Sequence, residues 1–268
     1  MPLFTDQTGR SIRLHAPPRR IISVVPSQTE LLQYLGLEEE VIGITKFCVH
    51  PDQWFRNKTR VGGTKHLSID KIRELQPDLI IANKEENVKE QVELLAADFP
   101  VWVSDVNNLD DACSMIASVG DIVQKTDAAN ELVHNIRNEF ELPSGSGSLI
   151  RAAYLIWKDP YMTIGHDTFI HDMLTHCGFE NIFANLTRYP TVTIEELSPD
   201  SNRVEVLLLS SEPFPFRQKH IDELQPLLPH TTIILVDGEM FSWYGSRLLL
   251  APAYFRELNQ KLKVKSQK

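Results

Sequence analysis

SIDKIRELQPDLIIAN (residues 68–83) changes period part-way along, and that change decides the fold. Ile69, Ile72 and Leu75 recur at helical spacing, so the first half predicts a helix with one apolar face. LIIA (79–82) follows as a continuous apolar run of strand length. A short strand without polar alternation belongs in a parallel sheet covered on both faces. One helix and one buried strand in sixteen residues is an α/β unit.

The same alternation extends in both directions. Upstream, RIISVV (20–25) reads as a strand, PSQTELLQYLGL (26–37) as a helix stopping near Gly36, and EVIGIT (40–45) as a second strand. Downstream come a helix in NVKEQVELLAADF (87–99), a strand in PVWVSD (100–105) and a helix in LDDACSMIASVGDIV (109–123). A further helix is expected to start at Thr126, with its hydroxyl as cap and Asp127 in the first turn. Its apolar stripe is Ala129, Leu132, Val133, Ile136 and Phe140, and at 1.5 Å per residue it reaches about 22 Å. ELPSGSGS (141–148) reads as a surface turn. The pattern then resumes: strands in RAAYLIW (151–157), VEVLLLS (204–210) and TIILVDG (232–238). Helices are expected in DTFIHDMLTHCGFENIF (167–183, with a stop at Gly178), within VTIEELSPDS (192–201), in FRQKHIDELQPLL (216–228) and in SRLLLAPAYFRELNQKLK (246–263). The expected organisation is an α/β fold of two Rossmann-like lobes with mainly parallel sheets, bridged by a single long helix. The boundaries are 1–125, 126–142 and 143–268.

Composition excludes several function classes. A chain of 268 residues with a formal net charge of −9 lacks the basic footprint that nucleic acid demands. No apolar run approaches the roughly 20 residues of a membrane span. The opening MPLFTDQTGRSIRLHAPPRR is polar and does not read as a signal peptide. The three cysteines, Cys48, Cys113 and Cys177, form no CxxC pair and no disulfide framework.

In open parallel sheets, ligands lie beyond the carboxyl ends of the strands, so the strand exits matter most. They are VPSQTE, KFCVHPDQW, ANKEEN, WKDPYMTIGHDTF, SSEPFPF and VDGEMFSWYGSR. Together they hold Trp54, Trp157, Tyr161, Phe214, Phe216, Phe241, Trp243 and Tyr244, the material of a flat-walled apolar ligand pocket. SSEPFPF reads either as a rigid turn or as a ligand contact. VGGTK (61–65) lacks the spacing of a dinucleotide loop and predicts a tight turn. No GxSxG, GxxxxGK[ST], GxGxxG or HExxH motif is present, so no catalytic residue is assigned. Cys48 and His50 stand two apart, which is half a metal site or one wall of a pocket.

RIISVVPSQTELLQYLGL, VIGIT and VGGTKHLSIDKIRELQPDLIIAN in order, followed by the long helix, resemble the class III substrate-binding proteins of ABC transporters. The resemblance runs from about Gly9 to Leu262 and is looser in the second half. It implies a non-enzymatic, monomeric receptor that captures a cobalamin, haem or ferric-siderophore chelate between two lobes and delivers it to an ABC permease and ATPase. It also implies a periplasmic or cell-envelope location; the polar N-terminus leaves a cytoplasmic alternative. Residues expected at the ligand are His50, Trp54, Asn83, Phe169, Tyr189, Trp243, Tyr244 and Arg247. The chain itself would hold no metal or cofactor, with His50 available as an axial ligand to the chelated ion. Asp70 and Glu195, with Glu196 adjacent, fall at the permease-docking positions. Two departures keep the ligand open: Asn83 and the TRYPTVT segment stand where cobalamin binders carry tryptophans. The competing reading is a cytoplasmic chelate sensor or a chelatase-like metalloenzyme, with Cys48, His50 and His166 as metal ligands.

Overall fold

A computed structural model describes residues 2–141, 149–198 and 204–265. The chain divides into two compact units. The first comprises Met1–Val106, Asp110–Ile136 and Trp243–Arg247; the second comprises Asn107–Leu109, Arg137–Ser242 and Leu248–Lys268.

The first unit is built on a five-stranded sheet in the order Thr59–Arg60, Val41–Ile44, Ile21–Ser23, Leu79–Asn83, Val101–Ser104. Every pairing is parallel, with Ile80 opposite Val101 and Ile22 opposite Ile80. Strands Ile21–Ser23, Leu79–Asn83 and Val101–Ser104 are buried at every residue, as expected for strands covered on both faces. One face packs Ile22, Ile80, Ala82, Val101 and Val103 against Ile72, Val92 and Leu95 of the helices Ile69–Leu75 and Lys89–Ala96. Each of the buried valine, leucine and isoleucine side chains contributes roughly 1.5–3 kcal/mol by leaving water. VGGTK forms the expected turn, a two-residue antiparallel pair of Gly62–Gly63 with His66–Leu67. Gly62 has φ +102°, and a Cβ there would lie 2.4 Å from the His66 carbonyl oxygen. Thr59–Arg60, which the sequence reading missed, is too short to show any period.

The helix Thr126–Glu141 forms as expected, with Ala129, Leu132 and Ile136 buried. The division between the units falls inside it, after Ile136. The Thr126 hydroxyl, expected to cap this helix, donates to Asp121 at 2.8 Å.

The second unit has a four-stranded parallel sheet in the order Phe179–Asn181, Ile150–Leu155, Val206–Ser210, Thr232–Val236. Its core packs Leu155, Leu207, Leu209 and Ile233 with Phe183, Phe216 and Leu224. The helix expected through residue 183 ends earlier, as Phe169–Cys177. Thr168 caps its start by accepting from the His171 N–H, and Gly178 at φ +91° ends it. Phe179–Asn181 is then an edge strand with alternating burial. In VTIEELSPDS the described residues 194–197 form a turn, and 199–201 lie outside the described residues. The same is true of ELPSGSGS beyond Glu141. The last helix is Ala251–Lys265, preceded by a 3₁₀ turn at Ser246–Leu249.

Candidate functional site

The strand exits of the first unit gather around a segment from far along the chain, Trp243–Arg247. Gly245 makes this approach feasible. It has φ +128°, and an added Cβ would stand 3.2 Å from the Ser27 carbonyl oxygen and 3.4 Å from the Leu31 Cβ, both on the helix Pro26–Tyr34. Only a residue without a side chain lets the segment lie so close in that backbone conformation.

Arg247 is fastened to the same helix. Its Nε and Nη2 donate to Glu30 Oε2 and Oε1 at 3.0 and 2.6 Å, a two-pronged ion pair in which the side chains are only 10% and 20% exposed. The guanidinium carbon also lies 4.8 Å from the centre of the Trp243 ring, a cation–π contact. The His50 ring meets Trp243 edge-on, with centroids 5.6 Å apart at 73°. Tyr244 donates its hydroxyl to Glu86 Oε1 at 3.0 Å. Trp243 and Tyr244 are buried and His50 is half-buried. Four expected ligand residues, His50, Trp243, Tyr244 and Arg247, are therefore one connected cluster, completed by Glu30 and Glu86.

Asn83 supports this cluster from beneath. It is buried, and its Oδ1 accepts the N–H groups of Glu85 and Glu86 at 2.8 and 2.9 Å while its Nδ2 donates to Ser104. Its side chain builds the turn that presents Glu86. Trp54, expected to face a ligand, is 1% exposed and lies inside the first unit. The short helix Asp52–Asn57 turns Asp52 and Gln53 outward, and Trp54 falls on its inner side, with Lys58 Nζ 5.1 Å from the ring centre.

Cys48 is fully buried, with Sγ 3.1 Å from the hydroxyls of both Thr29 and Thr45. Burial raises the pKa of its thiol, against the lowering effect of those hydroxyls, so it is a poor source of thiolate for a metal. Among the described residues, no three His, Cys, Asp or Glu side chains are placed to hold an ion. His166, the third ligand of the metalloenzyme reading, is an exposed residue of the second unit whose Nδ1 lies 2.8 Å from the Leu186 carbonyl oxygen.

In the second unit, Phe169 is buried at the first turn of its helix. Tyr189 is half-buried under Arg188, whose guanidinium carbon is 5.4 Å from the ring centre. The sequence brought Trp157, Phe214 and Phe216 together as pocket material without naming them as ligand residues, and it did not bring in His220. Trp157, 41% exposed, meets Phe214 at 5.7 Å, and Phe214 meets Phe216 at 4.8 Å. His220 stands 5.4 Å from both phenylalanines. The signal was present in WKDPYM and SSEPFPF as aromatics beside prolines, but nothing local pairs the two loops.

Asp70 lies in the first turn of the helix Ile69–Leu75 with its side chain 97% exposed. Glu195 is exposed, and hydrogen bonds from its own backbone N–H and from Thr193 hold its carboxyl below the usual range. Glu196 is tied into the same turn, accepting the Thr193 N–H at 2.8 Å.

The sequence signature described as "Periplasmic binding protein" matches residues 21–225. A vitamin B12-binding protein of Vibrio cholerae is 27% identical over 186 residues, 68% of this chain and 67% of the relative. The solved structure of a periplasmic vitamin B12-binding protein of Vibrio cholerae superposes with a TM-score of 0.76 at 23% identity, covering 91% of this chain and 99% of the other. A periplasmic haem-binding protein from Pseudomonas aeruginosa gives 0.77 at 18% identity, covering 90% and 92%. At these identities the structures speak for a shared fold.

Proposed function

This chain belongs to the periplasmic binding protein family, and we propose on that premise that it captures a metal chelate of the corrinoid, haem or ferric-siderophore class for an ABC permease. The family consists of binding proteins for ABC transporters, so the partners are a small molecule and a permease, and the location is the periplasm or cell envelope. The observation that carries the ligand reading is the cluster of His50, Trp243, Tyr244 and Arg247 at the strand exits of the first unit. It joins an imidazole suited to an axial position on a chelated ion with aromatic faces suited to a flat macrocycle. Relatives named for vitamin B12 and haem supply the ligand class.

The direct test is titration of the purified protein with cyanocobalamin, haemin and ferric desferrioxamine B, followed by absorbance and by melting temperature. A true ligand at 100 times its Kd adds about 2.7 kcal/mol of stability. Absence of any spectral or thermal shift with all three sinks the proposal. The exposed carboxylates Asp70 and Glu195 are proposed to dock the chain on the permease as a monomer. The double charge reversal Asp70→Lys/Glu195→Lys should leave ligand affinity unchanged and abolish stimulation of the permease ATPase. Retention of full stimulation would remove both residues from that role.

A further inference from the structure

Resting on that binding reading, we propose that the cluster selects chelates without carboxylates, and that Glu30 sets this preference by neutralising Arg247. Arg247 is the group in the cluster that could receive an anion, and its Nε and Nη2 are both committed to Glu30 at 3.0 and 2.6 Å. One face of its guanidinium is further covered by Trp243 at 4.8 Å. The Tyr244 hydroxyl, a second natural donor to an anion, is directed to Glu86 at 3.0 Å. The cluster therefore contains one guanidinium and two carboxylates. Even an imidazolium at His50 would bring it only to neutrality.

The surrounding exits do not reverse that balance. Lys84 is paired with Asp105, and Lys65 donates to the Glu85 carbonyl oxygen. Lys46 stands over the Phe47 ring, exposed to water, where its attraction for a ligand is screened by salt. A ligand carboxylate entering the cluster would meet Glu30 and Glu86 at close range in a partly dry environment, where like charges repel far more strongly than in bulk water. Ligands rich in amides avoid this, since their N–H groups can donate to the same two glutamates.

Chemically matched pairs isolate the charge. Cyanocobalamin is compared with its acid-hydrolysed carboxylate form, and haemin dimethyl ester with haemin, each titrated at low and at physiological salt. In whichever pair binds, the carboxylate-free member should bind at least tenfold more tightly, about 1.4 kcal/mol. Glu30→Gln should narrow that gap, chiefly by strengthening the acid member. Equal or tighter binding of the acid member to the unsubstituted protein overturns the proposal while leaving the binding function intact. Binding of neither pair overturns the proposal, and the ferric desferrioxamine B titration then decides separately whether the binding function stands. The unsubstituted protein alone decides the matter if Glu30→Gln does not fold.

Discussion

The carboxyl ends of the two sheets are finished in different ways. In the first unit the exits are held by polar and charged groups: Glu30 on Arg247, Glu86 on Tyr244, and Asn83 on the turn between them. Their aromatic members, Trp243 and Tyr244, are buried within that framework. In the second unit the exits are held by ring-on-ring packing of Trp157, Phe214, Phe216 and His220, and Trp157 stays 41% exposed. Directional charge pairs fix the geometry of a cluster, while ring packing leaves its outermost ring open to water. The difference lies in burial: Trp243 is enclosed between His50 and Arg247, whereas the Trp157 ring stays open to water.

Substitution can break this contrast directly. Trp243→Ala should cost about 3–5 kcal/mol by removing a buried indole, read as a lowered urea midpoint; a loss below 1 kcal/mol would show that the segment Trp243–Arg247 is not held as described. Arg247→Ala should cost about 3 kcal/mol, because it strands the Glu30 carboxylate in a mostly buried position. A mutant cycle with Glu30→Ala should reveal the coupling, and simple additivity would contradict it. A pH effect should be smaller and specific to the second unit. His220 is buried with Nδ1 accepting the Arg217 N–H at 2.8 Å, and burial lowers its pKa. The unfolded chain then takes up the proton first, so stability is fully present above about pH 6.5 and falls as the pH drops through the lowered folded value. Melting curves between pH 8 and 5 should show that decline weakened in His220→Gln. Trp157→Ala should have the least effect on the fold, within about 0.5 kcal/mol. It should still weaken chelate binding by about three- to tenfold through lost stacking, and unchanged affinity would assign the exposed ring no part in binding.

Much of this architecture could be read without coordinates. LIIA, IISVV and the LLL run of VEVLLLS read as covered strands, because apolar side chains follow one another there without polar alternation. Gly178 and VGGTK announced a helix stop and a tight turn through a backbone requirement that stays local. The misreadings have equally physical causes. Trp54 was assigned outward from its loop, but helical phase within Asp52–Asn57 turned it into the core. Phe179–Asn181 was absorbed into a helix because three residues are too few to display a strand period. Asn83 was itself expected at the ligand, and the structure shows its side chain buried and tying down a turn.

The sequence by itself determined the α/β alternation, the parallel sheets and the strand-exit loops, since these follow from periods and backbone limits within a dozen residues. It also brought Trp243 and Tyr244 forward as aromatics at a strand exit, and the family resemblance added His50 and Arg247 as candidates. Only the tertiary structure decided what those residues do to one another. Glu30 and Arg247 are 217 positions apart, and no local pattern records that one neutralises the other. Whether an arginine can receive a ligand's charge depends on which carboxylate folding places beside it.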